Sequence, residues 1–347
     1  MPAGPLPSIG SPAGGPAPER PSARRVTWRS VAPSKWTCLV TGGAGFIGSH
    51  LAERLVQLGH HVRVTDDFST GIRDNLVHLD GQLELLEGDL TDPGVCEQAV
   101  EQIDVVFHLA ALASVPRSLT NPWATHDANV NATLHLIRAS QAAGVRRLVY
   151  ASSSSVYGDM PTLPKTESAE ALPRSPYAAA KLAGEQYVLA YARGGLLNGV
   201  ALRYFNVFGP RQNPHSPYAA VVPAFLKAAL WCEPAMLFGD GGQTRDFTYV
   251  DDVVTANVLA ASAPADLANG MVINIGGGRR TSLLALLQLI MQVTGREVKW
   301  ERRPAREGDV RDSLASLDRA ERILGYRPQV ALDEGLKRTW NWLRSTV

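Results

Sequence analysis

The sequence has few cysteines, almost no net charge and no long hydrophobic run. Its 347 residues include three cysteines, Cys38, Cys96 and Cys232, which lie far apart and form no Cys-x-x-Cys pair. This argues against a disulfide framework or a metal site, and we expect a protein of the reducing cytoplasm. The formal net charge of +1 predicts neither nucleic acid nor an anionic membrane as a partner. No stretch of 18 apolar residues could form a spanning helix.

The first 33 residues differ from the rest of the chain. Residues 1–22 contain seven prolines, four glycines and no apolar run. Such a segment buries too little surface to offset the entropy lost on ordering, so we predict a disordered tail over residues 1–33. Arg24 and Arg25 resemble the start of an export signal, but no hydrophobic segment follows them.

Strands and helices alternate from about Lys35 onward. An apolar run at 36–40 leads through glycines into a helical pattern at 46–58. Alternation predicts an α/β fold with a doubly wound parallel sheet, covered by helices on both faces. Beyond Tyr204 the rhythm loosens into a smaller C-terminal α/β lobe. The remaining predicted strands are 62–65, 83–86, 105–109, 148–151, 200–204 and 272–275, with helices at 125–143 and 283–294.

The first strand runs into TGGAGFIGSH, which places Gly42, Gly45 and Gly48 between a strand and a helix. Glycines there let the backbone approach a pyrophosphate, and the helix N-terminus offers free N–H groups. Asp66 ends the second strand, where a carboxylate binds a ribose 2′-hydroxyl and repels a 2′-phosphate. The pattern predicts NAD rather than NADP. The alternative is a generic tight turn with an unrelated acid.

Ligands in this architecture bind where the strands end. We therefore predict further cofactor contacts at the start of the first helix and after the third and fourth strands. Taken alone, Asp89 would more often be a helix cap. These candidate cofactor residues are Phe46, Ile47, Asp89, Leu90, Leu109, Ala110 and Ala111.

The stretch SPYAAAK places Tyr177 one helical turn before Lys181, with Ser175 as the predicted N-cap and Pro176 in the first turn. A free phenol has a pKa of about 10, and lowering it by roughly 3 units requires about 4 kcal/mol. Lys181 and the positive ring of an oxidised nicotinamide together could supply this stabilisation. The alternative is a surface helix with an incidental tyrosine.

Upstream, YASSSSVYG places a run of serines at the end of the fifth strand, facing the expected cofactor. A serine there can bind a sugar hydroxyl and relay its proton. For Ser152 and Ser155 we favour a polar strand end without a chemical role. No cysteine or histidine stands nearby, so a serine nucleophile is not expected.

With these motifs in order, the chain resembles the extended short-chain dehydrogenase/reductases over nearly all of residues 35–345. The motifs RYFNVFGPRQ (203–212), GDGGQTRDFTYVDDV (239–253) and REGDV (306–310) resemble the UDP-hexose 4-epimerases of that group. The resemblance implies an NAD-binding Rossmann domain and a nucleotide-sugar-binding lobe. We place the first at 34–203 plus 246–264 and the second at 204–245 plus 265–347.

The resemblance also implies roles for individual residues. Ser153 matches the catalytic hydroxyl, Tyr177 the base, and Lys181 its partner, which also holds the nicotinamide ribose. Phe205 would lie beside the nicotinamide and Asn206 would contact the UDP-sugar. Without the family, each of the arginines concerned would more often be a solvated surface charge. The other residues implied at the substrate are Ser114, Ser154, Arg211, Arg245, Arg306 and Asp309.

Two positions refine the implied reaction. Related dehydratases and decarboxylases carry acidic residues where this chain has Ser154 and Ser155, so the implied chemistry stops at C4 of the hexose. Ser313 falls at the position that limits the sugar in glucose/galactose-restricted members, and a small serine leaves room for a 2-acetamido group. The resemblance thus implies 4-epimerisation of UDP-glucose and of UDP-N-acetylglucosamine through a 4-keto sugar.

Three further expectations follow from the same resemblance. The alternatives to a UDP-hexose epimerase are a UDP-glucuronate 4-epimerase or another NAD-dependent nucleotide-sugar enzyme, and a non-catalytic NAD-sensing regulator. The retained Tyr177 and Lys181 argue against the regulator. Relatives pair through helices equivalent to about 125–143 and 176–193, which implies a homodimer.

Overall fold

The computed structural model describes residues 35–213, 220–305 and 310–346. The predicted tail at 1–33 lies outside these ranges. The strands are β1 (Thr37–Thr41), β2 (His61–Asp66), β3 (Glu84–Glu87), β4 (Val105–His108), β5 (Arg147–Ser153), β6 (Gly199–Tyr204), β7 (Val207–Phe208), β8 (Ala235–Phe238), β9 (Thr244–Asp246), β10 (Thr248–Tyr249), β11 (Val272–Ile275), β12 (Arg280–Ser282) and β13 (Trp300–Arg303). The helices are α1 (Phe46–Gln57), α2 (Pro93–Ala99), α3 (Val115–Thr120), α4 (Pro122–His126), α5 (Ala132–Ala142), α6 (Pro176–Arg193), α7 (Val221–Trp231), α8 (Val250–Ser262), α9 (Ala265–Ala268), α10 (Leu283–Thr294), α11 (Asp318–Leu324) and α12 (Leu332–Ser345).

A seven-stranded parallel sheet forms the centre of the protein, in the order β11-β6-β5-β4-β1-β2-β3. The chain builds outward from β1 through β2 to β3, then returns to the other side of β1 and continues from β4 to β6. The order reverses between β1 and β4, and in open α/β sheets ligands bind in the crevice at such a reversal. The predicted doubly wound α/β fold is confirmed, with the first six predicted strands each placed within two residues.

The sheet is apolar on both faces because helices cover both. Consecutive residues of a strand point to opposite faces, and in β1 the buried Leu39 and Val40 enter two different hydrophobic cores. Val40 packs with Leu51 of α1 and residues of α8, whereas Leu39 packs with Leu136 of α5 and residues of α2 and α6. β4 and β6 are buried throughout, while β3 at the sheet edge is largely exposed.

The C-terminal part adds three two-stranded sheets, which pair β7 with β10, β9 with β12 and β8 with β13. The predicted strand at 272–275 and helix at 283–294 are both present, as β11 and α10. We had assigned 272–275 to the C-terminal lobe, but β11 is hydrogen-bonded to β6 and extends the central sheet. The two-lobe division at the stated boundaries stays a prediction.

The single helix predicted at 125–143 is wrong in its details. The structure has α4, a π-helical turn at Asp127–Asn131 and then α5. In this turn the Asn129 side chain accepts a hydrogen bond from Leu112 N at 2.9 Å and donates to Leu112 O at 3.3 Å. A π-helical turn inserts one extra residue into a helix and often marks a functional site. Here it joins the helix to the loop that follows β4.

Within the described ranges, no helix is both long and apolar enough to cross a membrane.

Candidate active site

A cavity of about 300 Å³ opens at the carboxyl ends of β1, β2, β4 and β5, next to the reversal in strand order. Phe205 excepted, the residues predicted to bind a cofactor all line it. They are Gly42, Gly45, Phe46, Ile47, Gly48, Asp66, Asp89, Leu90, Leu109, Ala110, Ala111, Tyr177 and Lys181.

The glycine loop packs so tightly that side chains would not fit. Gly42 has φ of +65°, in the left-handed region, and its amide donates to Thr65 O at 2.8 Å. A Cβ at Gly42 would lie 2.8 Å from Ala110 Cα, and one at Gly48 only 2.1 Å from Gly42 O. The backbone itself therefore forms the wall of the cavity.

The N-terminus of α1 faces the cavity with its polar groups available. Its N-cap residue is Gly45, which offers no capping side chain, and no acidic residue occupies the first turn. Free N–H groups and the positive end of the helix dipole bind phosphate groups. These features fit the pyrophosphate of a dinucleotide.

Asp66 fits the adenosine ribose of the same dinucleotide. Its carboxylate is buried and accepts hydrogen bonds from Ala44 N and Phe68 N, both at 2.9 Å. Burial raises the pKa of Asp66, and these two N–H groups oppose that shift. The carboxylate therefore fixes the glycine loop while it lines the cavity, and its negative charge disfavours a 2′-phosphate.

A buried chain of side chains holds the loop after β4 against the cavity. Thr41 Oγ1 accepts N–H bonds from Leu109 and Ala110, each at 3.2 Å, and lies 2.8 Å from His108 Nδ1. The other ring nitrogen of His108 lies 2.9 Å from Thr133 Oγ1. Burial, and next the charge of Lys181, lowers the pKa of His108 to about 3, so the ring is neutral at physiological pH. Thr133 Oγ1 donates to Asn129 O, so His108 Nε2 carries the proton and Thr41 donates to Nδ1.

Sequence reasoning missed several cavity residues. Asp67 directly follows Asp66, and its carboxylate accepts bonds from the Ser69 amide and hydroxyl, so the DDFST stretch could have been read as a polar turn at a strand end. The hydrogen-bonded series Thr41–His108–Thr133 could not be predicted from the spacing of neighbouring residues, because it joins three separate segments. Other lining residues that were missed are Thr65, Ser69, Thr70, Leu112, Ala113, Ala128, Ala132, Ala151, Ser152 and Tyr204.

Tyr177 and Lys181 lie in the first two turns of α6, as predicted. Ser175 is the N-cap and accepts a hydrogen bond from Ala178 N at 3.2 Å, and Pro176 is the first helical residue. Burial lowers the pKa of Lys181 to about 7, and the charge of Glu185 opposes that shift. The ammonium lies 4.3 Å from the centroid of the Tyr150 ring.

The chain alone does not make the Tyr177 phenol acidic. Burial raises the pKa of Tyr177, and a hydrogen bond with Ser153 offsets this only in part. Joint stabilisation of a phenolate by Lys181 and an oxidised nicotinamide stays a prediction.

The serine run divides into two roles. Ser153 Oγ accepts hydrogen bonds from Ser155 N at 3.2 Å and Ser155 Oγ at 2.9 Å, which orient it beside Tyr177. Ser152 donates to Glu185 Oε2 at 2.6 Å, and Glu185 also forms a buried two-bond ion pair with Arg203. Ser152 is thus part of the buried support behind α6. Ser154 begins a short 3₁₀ helix, Ser154–Tyr157.

Two of the residues predicted to contact a substrate meet in the structure. Ser313 Oγ donates to Asn206 Oδ1 at 3.3 Å. Arg245 lies on β9, where its guanidinium donates to Thr244 O and Arg311 O at 2.9 and 3.0 Å. Ser114 caps α3 by accepting from Arg117 N. Arg306 and Asp309 lie outside the described residues.

Two predicted residues point elsewhere. Phe205 is fully buried, packs with Tyr157 at a ring distance of 6.2 Å and does not line the cavity. Arg211 has φ of +63° and pairs with Glu53 of α1 at 2.5 Å, so its charge is turned towards the cofactor helix. Contacts with distant segments set both orientations, Tyr157 for Phe205 and Glu53 of α1 for Arg211.

Comparison with known proteins agrees with this geometry. Residues 38–276 match the NAD dependent epimerase/dehydratase family. A UDP-glucose 4-epimerase of Mycolicibacterium smegmatis is 42% identical over 311 residues, covering 88% of this chain and 98% of that protein.

Two solved structures are similar throughout. One is a UDP-N-acetylglucosamine 4-epimerase from Methanobrevibacter ruminantium in complex with UDP-N-acetylmuramic acid, with a TM-score of 0.86, 38% identity and coverage of 91% of this chain and 100% of that one. The other is a Thermus thermophilus UDP-glucose 4-epimerase complex with NAD, with a TM-score of 0.82, 35% identity and coverage of 90% and 100%.

Proposed function

The chain belongs to the NAD dependent epimerase/dehydratase family, and from that membership we propose that it interconverts the C4 epimers of UDP-hexoses. The cofactor is NAD, which the glycine loop, the free N-terminus of α1 and Asp66 fit. The observation that carries the proposal is the placement of Tyr177 and Lys181 on the cavity wall, with the Ser153 hydroxyl beside the phenol.

When bound, NAD supplies a reversible two-electron acceptor for the hydrogen on C4. Tyr177 takes the proton of the 4-hydroxyl, and Ser153 binds the same oxygen. Lys181 stabilises the phenolate and holds the ribose next to it. After the 4-keto sugar has rotated in the site, C4 would regain its hydrogen on the opposite face and Tyr177 returns the proton to the oxygen. Because both are restored, the reaction consumes no external oxidant.

The residues around Ser153 favour a reaction limited to C4. Ser154 and Ser155 are neutral hydroxyls, and Ser155 is bonded to Ser153. Neither can act as a carboxylate base on the C5 proton or as a carboxylic acid that expels a 6-hydroxyl. The site therefore supports oxidation and reduction at C4 and no elimination.

Ser313 supports a broad choice of sugar. Its small side chain lies against Asn206, which we propose contacts the UDP-sugar together with Ser114, Ser154, Arg245, Arg306 and Asp309. A serine at this position leaves space for a 2-acetamido group, and a bulky residue would fill it. We therefore propose that UDP-glucose, UDP-galactose and their N-acetylated counterparts are all substrates.

The test is to incubate the purified protein separately with UDP-galactose and UDP-N-acetylgalactosamine, without added reductant, and to identify the products by NMR. We expect both to be converted to their C4 epimers with no net NADH. In the Ser313→Tyr variant, conversion of the N-acetylated sugar should fall about 100-fold while that of UDP-galactose falls less than about threefold. Protein that holds NAD but converts neither sugar would refute the proposal, and turnover of UDP-glucuronate alone would replace it.

We also propose a cytoplasmic homodimer. The cysteines are free, which fits a reducing compartment. α4 and α6 pack together and carry the exposed Trp123 and Tyr187, 79% and 39% accessible, on the face through which we expect two copies to pair. Sedimentation of wild type and Trp123→Asp tests this: a monomeric wild type contradicts it.

A further inference from the structure

The strand that carries Arg245 is anchored by its neighbour, the carboxylate of Asp246. Asp246 is fully buried, and its two oxygens accept three N–H bonds from distant segments. Oδ1 accepts from Gly277 N at 2.8 Å, and Oδ2 accepts from Gly278 N at 3.2 Å and from Ala315 N at 2.9 Å. A single carboxylate thus joins β9, the loop after β11 and the segment at 313–315.

These bonds connect Asp246 to two of the proposed sugar-nucleotide contacts, Arg245 and Ser313. Adjacent residues of a strand point to opposite faces, so Asp246 facing the interior directs Arg245 to the other face of β9. The segment at 313–315 runs beside β9, with Ser313 N bonded to Thr244 O at 3.1 Å and Ala315 N bonded to the Asp246 carboxylate. Ser313 is therefore attached to β9 directly, and Ala315 makes a second attachment two residues later.

The loop after β11 is shaped to admit this carboxylate. A Cβ at Gly276 would lie 2.8 Å from Asp246 Oδ2, and one at Gly277 would lie 2.4 Å from Phe247 O. Tyr326 closes the same loop from the other side, where its hydroxyl donates to Gly276 O at 3.0 Å. The arrangement needs an acceptor at Asp246, because backbone N–H groups surround both oxygens.

We propose that Asp246 is a positioning residue for nucleotide-sugar binding. By holding β9 against the loop after β11 and the segment at 313–315, it keeps Arg245 and Ser313 at a fixed distance from each other. It touches neither substrate nor cofactor. The inference rests on the proposed function, because it concerns the same sugar-nucleotide site.

The electrostatics give this residue a pH signature. Burial raises the pKa of Asp246 to about 6, against the lowering effect of its N–H donors. The ionisable groups around it are Tyr326, Arg245 beside it on β9 and Arg280 opposite it on β12. Below about pH 6 the carboxyl gains a proton that faces N–H donors. The bracing bonds then weaken, and we expect UDP-sugar affinity to fall.

Asp252 provides a matched control. It is also a buried carboxylate with a raised pKa, and it accepts N–H bonds from Gln329 at 2.9 Å and Val330 at 3.2 Å. It lies on α8, and neither of these bonds involves β9 or the segment at 313–315. Asp246→Asn and Asp252→Asn therefore make the same chemical change, and only the first concerns the proposed site.

The experiment measures UDP-glucose binding calorimetrically, since its diphosphate does not titrate in the relevant pH range, together with bound NAD. We expect Asp246→Asn to raise the Kd for UDP-glucose about tenfold with NAD content unchanged, and Asp252→Asn to change that Kd less than about twofold. In the wild type and in Asp252→Asn the Kd should rise as pH falls through about 6, whereas in Asp246→Asn it should be flat.

Equal losses of affinity in the two variants would show a purely structural role and overturn the inference, as would an unchanged Kd in Asp246→Asn. If Asp246→Asn does not fold, the wild-type titration decides: a Kd that is constant between pH 7 and 5 overturns the inference. Wild-type protein that binds NAD but no UDP-glucose would instead overturn the proposed function.

Discussion

The proposed cofactor side of the site draws on short stretches of chain, and the proposed sugar side on stretches far apart. On the cofactor side, Gly42 to Gly48 and Asp66 lie within 25 residues and meet in one strand–loop–helix–strand unit. On the sugar side, Asn206 meets Ser313 and Asp246 meets Ala315, across 107 and 69 residues. The first side is set by local backbone geometry, and the second depends on how distant segments pack. Variants on the two sides should therefore fail in different ways.

The largest effect should come from the residue where the two sides meet. Tyr177→Phe removes the group that we propose takes the 4-hydroxyl proton, so we expect kcat to fall about 1000-fold or more with bound NAD retained. Tyr187→Phe, on the same helix but outside the residues that line the cavity, should keep full activity. The measurement is the rate of UDP-galactose conversion. Activity within tenfold of wild type in Tyr177→Phe would remove this residue from the chemistry.

The second-largest effect should come from a substitution that disturbs only the proposed cofactor side. Gly48→Ala places a Cβ 2.1 Å from Gly42 O, so the loop must move away from the pyrophosphate position. We expect NAD affinity to fall about 100-fold, read by the NAD content of purified protein and by titration. Gly94→Ala is the control, since its Cβ would meet no atom closer than 3.3 Å. Normal NAD content in Gly48→Ala would show that the loop tolerates the shift.

The buried lysine should make stability depend on pH. The pKa of Lys181 falls from 10.5 to about 7 on folding, so between these values the unfolded chain holds more protons and the free energy of unfolding rises with pH. The gain should reach a few kcal/mol in cofactor-free protein, at about 1.4 kcal/mol for each pH unit.

Urea unfolding at neutral and alkaline pH measures this dependence. Lys181→Met should abolish this part of the pH dependence and be more stable than wild type near pH 7, because it removes the cost of burying the ammonium. Lys337→Met, at an exposed position, should leave the slope as it is. A slope that persists in Lys181→Met would assign it to another group.

The smallest effect concerns Arg211, which we had placed at the substrate. Its ion pair with Glu53 is partly exposed, so Arg211→Ala and Glu53→Gln should each lower the free energy of unfolding by about 1 kcal/mol, with little further loss in the double variant. The Kd for UDP-glucose should change less than about threefold. A larger change in Arg211→Ala alone would return this residue to the sugar side.

The amino acids proposed to bind the cofactor could be predicted better than those proposed to bind the sugar nucleotide, for a physical reason. The spacing of Gly42, Gly45 and Gly48 is read from adjacent residues, and a strand that ends in glycine before a helix allows few geometries. The pairing of Arg211 with Glu53 of α1 and the packing of Phe205 on Tyr157 each join segments far apart in the chain, and no local pattern encodes them. The π-helical turn at Asp127–Asn131 was also missed, and the hydrogen bonds that Asn129 forms with Leu112 are likewise non-local.

The sequence by itself determined the alternation of strands and helices, the glycine loop, Asp66, and the placement of Tyr177 and Lys181 on one face of a capped helix, because periodicity, capping and turn chemistry act over a few residues. Tertiary structure decided the protonation of the site, since burial raises the pKa of Tyr177 and lowers that of Lys181. It also placed β11 in the central sheet and Asp246 among its N–H donors. Desolvation and long-range hydrogen bonds exist only once distant segments have met.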